Sequence, residues 1–331
     1  MIIAVDASGG EYAPHEVVKG AIKAAREYEV EIALVGRKEI LYVLAGRHLT
    51  KLGMKIIDAS EVIGSREPPV EAVRSKPGSS IVVGTNLVKD GSASAFVSAG
   101  NTGAVLLSAL LNLGKIEGIE RPAIGSLFSL NTTAPVLLID AGANAECRPT
   151  HLVQFAQLGS TYIREIFGIS APSVGLLNIG EEENKGNRLA QESHQLLKAT
   201  KLNFIGNVEG QDIPTGKANV IVTDGFTGNI VLKTLEGMST NWLYSLNQTG
   251  QIFSKAHSLS SRASSRDIGM DSWAKRLDYR ESGGAVFLGV NGNIIKAHGR
   301  SRANAIKNAI GLAKRTAERG ILQKIKEENY E

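Results

Sequence analysis

The stretch LLIDAGANAE (137–146) passes from an apolar run through an aspartate into a loop of glycine, alanine and asparagine. Four others share its form: FVSAGNTGA (96–104), LLNIGEEENKGN (176–187), NFIGNVEG (203–210) and VIVTDGFTGN (220–229). A strand buried on both faces reads as a continuous Val/Ile/Leu run, and the segment after most of these loops has helical spacing. Repeated strand–loop–helix units imply an α/β protein with a mostly parallel sheet. In such sheets ligands bind beyond the carboxyl ends of the strands, so the loops are expected to share one edge. Glycine lets backbone N–H groups approach a ligand, and asparagine adds a neutral donor and acceptor. The pattern suits a small, oxygen-rich anion.

Working outward, IIAV (2–5), EIALVG (31–36), KIIDA (55–59), 95–98, PVLLID (135–140), VGLLNI (174–179), NFIG (203–206) and NVIVTD (219–224) read as strands. The segments 14–27, 37–47, 68–76, 102–113, 150–167, 186–199 and 227–245 have helical spacing. Residues 80–91 are read as helical despite their valines, because Gly91 can cap the end. AVFLGV (285–290), the Asn291-Gly292 turn and NIIKAHG (293–299) form the one clear hairpin signal, so an antiparallel pair is expected in the sheet. A helix over 301–318 follows, and the tail QKIKEENYE is expected to fray. Residues 246–270 are polar and serine-rich. The reading is one α/β domain over 1–331, with a helical excursion protruding near 240–280.

Hydrophobic content of 43% and charged content of 21% place the chain among globular proteins. No stretch reaches the roughly 18–20 uninterrupted apolar residues of a spanning helix, and MIIAVDASGG reads as a first strand rather than a leader. The single cysteine, Cys147, rules out an internal disulfide and a multi-cysteine metal site, which points to a reducing cytoplasm. A net charge of +4 favours an acidic partner. Aromatics at 5%, with no basic run interleaved with them, argue against nucleic acid.

The residue patterns exclude several chemistries. There is no G-x-S-x-G, H-E-x-x-H or early G-x-G-x-x-G. The segment Gly210–Ala218 is one residue too long for a phosphate-binding P-loop and lacks the hydroxyl that magnesium needs. Glu181, Glu182 and Glu183 are adjacent in a loop and are expected to cap or solvate rather than ligate metal. Cys147, just before a helix start, has no readable base beside it. The six histidines are scattered, and His298 in KAHG is the best site candidate among them. In the positive set, Lys185 lies between a glycine–asparagine loop and a helix start, where N–H groups point outward. Asn101-Thr102-Gly103, Asn187, and Asp224, Thr227, Gly228 and Asn229 complete that set. Asp6, Gly9 and Gly10 follow the first strand and are placed at the same edge. Asp6 reads equally as a loop anchor or a substrate contact.

At these loops the sequence resembles the bacterial phosphate acyltransferase family, the acyl-ACP:phosphate acyltransferases of phospholipid synthesis. The resemblance is carried in order by VDASGGEYAP (5–14), SIVVGTNLVKDG (80–91), FVSAGNTGA (96–104), RPA (121–123) and LLIDAGANAECRPTHLVQFA (137–156). It continues through VGLLNIGEEENKGN (174–187), NFIGNVEGQDI (203–213), DGFTGNIVLKTLEG (224–237), LDYRESGGAVFLGVNG (277–292) and AHGRS (297–301). It implies a three-layer α/β/α fold like that of phosphotransacetylases and isopropylmalate-type dehydrogenases, assembled as a homodimer. It also implies acyl transfer from acyl carrier protein to inorganic phosphate without cofactor or metal. The acyl phosphate product would feed a membrane-bound glycerol-phosphate acyltransferase, from a cytoplasmic enzyme that associates peripherally with the membrane. Two departures stand out: Ser8 and Glu11 replace the family's usual methionine and aspartate, and 246–270 is more polar than an amphipathic membrane tip.

Phosphate is itself a nucleophile, so the implied reaction needs no acyl-enzyme. It needs a held dianion, an adjacent thioester and donors for the developing oxyanion. Lys185, Asn187 and N–H groups near Gly103 and Gly228 are the expected phosphate holders, and Asn101 or Asn229 the oxyanion donor. Two alternatives stay open, a phosphotransacetylase-like enzyme using acyl-CoA and a non-catalytic acyl-carrier docking protein.

Overall fold

A computed structural model of the chain describes residues 1–128, 135–238 and 283–328. The excursion expected near 240–280 and its 246–270 segment lie outside the described residues. One eleven-stranded sheet organises the rest. Its strands are β1 (Ile2–Asp6), β2 (Glu31–Gly36), β3 (Lys55–Asp58), β4 (Ala95–Ser98), β5 (Ala123–Phe128), β6 (Val136–Ile139), β7 (Ser173–Leu177), β8 (Asn203–Val208), β9 (Val220–Val222), β10 (Ala285–Leu288) and β11 (Ile294–Lys296). They lie in the order β3-β2-β1-β4-β11-β10-β5-β6-β9-β7-β8.

The apolar runs are strands because helices cover both faces. Packed on one face are α1 (His15–Tyr28), α2 (Lys38–Leu52), α6 (Pro149–Phe167), α7 (Arg188–Lys198), α9 (Ala303–Glu318) and α10 (Ile321–Glu327). There Val17, Leu41, Phe155, Tyr162 and Ile306 meet Ile3, Ile32, Leu137 and Val222. On the other face lie α3 (Pro69–Ser75), α4 (Ser80–Lys89), α5 (Thr102–Asn112) and α8, helical over 225–238. The result is a three-layer α/β/α arrangement. The valine-rich 80–89 segment is helical as read, started by Ser79, whose hydroxyl accepts from Val82 N.

The structure departs from the sequence reading in three places, one an unread strand and two corrected expectations. AIGSLF (123–128) is a strand that Gly125 and Ser126 hide from any periodicity reading. In the expected frayed tail, α10 forms because Ile321 and Ile325, one turn apart, both bury. The third concerns direction. β10 is antiparallel to β11 and to β5, and β5 is antiparallel to β6. Three successive reversals leave β6, β9, β7 and β8 running opposite to β1, β2, β3, β4 and β11. The glycine–asparagine loops therefore divide between two edges instead of sharing one.

Candidate active site

Three loops build the first edge. The carboxylate of Asp6, buried at the end of β1, accepts from Ser8 N at 3.0 Å and Gly9 N at 2.9 Å. It also accepts from Ser98 Oγ of β4 at 2.6 Å. A Cβ on Gly9 would lie 2.2 Å from Asp6 Oδ2 and 2.7 Å from Gly100 N, so only glycine lets the two loops touch. Asp6 is thus an anchor in this geometry, and it fixes the loop that carries Gly10.

α5 starts beside it. Asn101 Oδ1 accepts from Ala104 N at 3.1 Å and caps the helix, while Nδ2 donates to the carbonyls of Gly64, Ser65 and Glu67. The amide clamps 64–67 against the start of α5. Thr102 and Gly103, in its first turn, face a cleft of about 590 Å³. That size is ordinary for a small-molecule site.

The cleft runs diagonally over the sheet face from β4 and β11 to the end of β6. Gly10, Asn101, Thr102, Gly103, Asn229 and His298 all line it. Part of its wall is apolar, formed by Val62, Ile63, Ile124, Leu127 and Leu232. α8 closes one side. Its first turn is capped by Asp224, which accepts from Thr227 N at 2.9 Å and Thr227 Oγ1 at 2.8 Å. At Gly228 a Cβ would sit 1.9 Å from Asp140 O, and this close approach brings Asn229 over Gly142. Asp224, Thr227 and Gly228 therefore position the helix that presents Asn229, and they lie outside the lining.

Lys185 and Asn187 also lie outside it. Lys185 is half exposed and its Nζ is 3.7 Å from Glu182. Asn187 caps α7, accepting from Ala190 N at 2.9 Å. The neighbouring carboxylates each face a cation of their own: Glu181 pairs with Lys217, and Glu183 with Lys198 at 2.6 Å. Cys147 is absent from the lining, and burial pushes its thiol up to about 12, with Asp140 reinforcing the rise.

Sequence reasoning missed the most buried charged group of the lining. Lys296 ends β11 and is only 8% exposed. It pairs in register with Ser98 on one side and Ala285 on the other. Ile294 belongs to the core under α4 and α5, so Lys296, two residues on, points to that same face. Burial draws its ammonium down to about 8, Asp6 and Glu236 pull it back up, and Lys233 pushes it further down. Glu236 on α8 meets Lys233 at 2.6 Å and His298 at 3.5 Å. Burial opposes that carboxylate, yet the hydrogen bonds from His298 and Lys233 hold it below the usual range. The available signal was a lysine inside an otherwise apolar run, IIKA.

Comparison with known proteins settles the family. The fatty acid synthesis protein family matches residues 1–324. This chain belongs to that family. A relative from Dehalococcoides mccartyi named phosphate acyltransferase is 56% identical over 328 residues, covering 99% of this chain and 94% of the relative. With that likeness the chain is an acyltransferase. Among solved structures, a phosphotransacetylase from Streptococcus pyogenes superposes with a TM-score of 0.62 at 19% identity, over 96% of this chain and 94% of that one. A branched-chain phosphotransacylase from Enterococcus faecalis gives 0.60 at 15%, over 96% and 99%. These two likenesses bear out the three-layer fold.

Proposed function

We propose that this cleft transfers a long-chain acyl group from the thioester of acyl carrier protein to inorganic phosphate, giving acyl phosphate for phosphatidic acid synthesis. One observation carries the reading: a single cleft joins a donor-rich end to an apolar wall. At the donor end, the first-turn N–H groups at Thr102 and Gly103 suit a small dianion, and the buried Lys296 lines the same cleft. The wall of Val62, Ile63, Ile124, Leu127 and Leu232 suits an acyl tail. The relatives' shared name supports phosphate as acceptor.

Asn229, whose side chain lies beside Gly142, is the proposed donor to the thioester oxyanion. Asn101 has its amide engaged with three carbonyls, so its role is to hold the α5 start. Direct attack by phosphate suits a cleft whose lining contains no cysteine. Arg300, exposed at the mouth and 3.2 Å from Glu11, offers positive charge to an acidic carrier. The expected assembly is a homodimer in the cytoplasm, with a membrane-bound glycerol-phosphate acyltransferase consuming the product.

The donor is tested by measuring phosphate-dependent thiol release from acyl carrier protein and from coenzyme A bearing the same acyl chain. The reading expects a clearly higher kcat/KM for the carrier protein. Preference for the coenzyme A thioester would make the chain a phosphotransacetylase-like enzyme. Release from neither would leave a docking protein without turnover.

A further inference from the structure

We propose that Lys296 is the acid of this acyl transfer, giving a proton to the thiolate sulfur as it leaves. The inference rests on the acyl-transfer reading above and adds the group that moves the proton.

The chemistry gives such a group a role, because protonation eases departure of an alkyl thiolate. Hydrogen phosphate attacks the thioester carbon through an oxygen, a C–O bond forms, and the C–S bond breaks with its electron pair going to sulfur. The ammonium protonates that sulfur. The acyl phosphate is left holding the proton that hydrogen phosphate brought, and it passes this proton to the neutral amine. Lys296 ends as it began, and a free thiol departs.

Geometry selects this residue. The described titratable side chains in the cleft wall are Glu11, Lys233, Glu236, His298 and Lys296. Glu11 sits with Arg300 at the mouth, and Lys233 and His298 both pair with Glu236. Lys296 is buried deeper, on a strand held on both sides, and among the described residues its Nζ donates to the Ala297 carbonyl. An ammonium carries three N–H donors, so that bond leaves others to aim into the cleft. Its register partner Ala285 is small and lines the same cleft, which keeps the approach to Nζ open. Gly284, at φ +97, lets the chain pass where a Cβ would be 2.4 Å from Lys296 O. His298, just beyond β11, is a titratable neighbour in the same wall, and the charged groups acting on the lysine are Asp6 on β1 and Lys233 and Glu236 on α8. Their balance with burial leaves the ammonium at about 8. That lies close to the ~8.5 of an ordinary thiol, the match that proton transfer favours.

The test compares two leaving groups in wild type, Lys296→Gln and Lys296→Met. One donor is the acyl carrier protein thioester, whose alkyl thiolate needs a proton. The other is the S-phenyl thioester of the same acyl chain, whose thiolate departs without one. A lost acid lowers kcat for the carrier thioester by about 10²–10⁴-fold and for the phenyl thioester by less than about tenfold. The ratio of the two rates within each variant does not depend on how much of it is folded. Equal losses on both donors would make Lys296 a binding or structural residue and overturn the proposal, as would no loss on either. A wild type that forms no acyl phosphate from either donor would overturn the parent reading, and this inference with it.

Discussion

Lys296→Met should stabilise the fold at neutral pH while it slows turnover of the carrier thioester by about 10²–10⁴-fold. Burial lowers the Lys296 ammonium from 10.5 to about 8. Each unit is worth ~1.36 kcal/mol, so the buried charge costs the folded state roughly 3 kcal/mol. The sign follows from proton counts. Between about pH 8 and 10.5 the unfolded chain binds the proton and the folded one does not, so stability rises with pH across that window. Below it both states are charged and the full penalty is present. Methionine has similar volume and no charge, so it removes the penalty. Denaturant unfolding at pH 7 and at pH 10.5 measures this. The variant should be more stable by up to about 3 kcal/mol at pH 7, and the gain should shrink toward pH 10.5. A destabilised variant at pH 7 would refute the reasoning, because it would mean Asp6 depends on Lys296 as an ion-pair partner.

Cys147→Ser should keep most activity, since a thiol held at about 12 supplies no nucleophile at neutral pH; loss of turnover in the folded variant would reveal an acyl-enzyme. Lys185→Ala should change the KM for phosphate by less than about fivefold, the scale of an exposed ion pair. A much larger rise in steady-state assays would bring the 180–187 loop into the site. Gly228→Ala should cost about 1–3 kcal/mol and depress kcat together with the melting temperature, because α8 must retreat from Asp140 O and carry Asn229 with it. An unchanged melting temperature would show that this contact is loose.

Ten strands were legible from their apolar residues, most of them because burial on both faces leaves no alternation to misread, while the edge strands β3 and β8 are only partly buried. The eleventh, β5, was not, since Gly125 and Ser126 interrupt it. Yet β5 supplies two of the three antiparallel pairings that turn half the sheet over. That one strand explains why loops of identical texture, such as 99–103 and 178–187, end at opposite edges. Within the site, Gly10, Asn101, Thr102, Gly103, Asn229 and His298 were readable because loop glycines and asparagines follow buried strands. Their roles were less so. Asp6 ends β1 and Asp224 follows β9 by two residues, and both fold back on N–H groups of their own loops, which residue type alone does not distinguish from holding a ligand. Lys296 was hidden by register: only the pairing of β11 with β4 shows that its side chain faces the cleft.

The central claim is that phosphate takes the acyl group in this cleft. The purified protein, acylated carrier protein and inorganic phosphate should be mixed, with free thiol and hydroxylamine-trapped acyl phosphate followed together. The account predicts one acyl phosphate per thiol released, with both products depending on phosphate. Thiol release that persists without phosphate, or no trapped product at all, would contradict it.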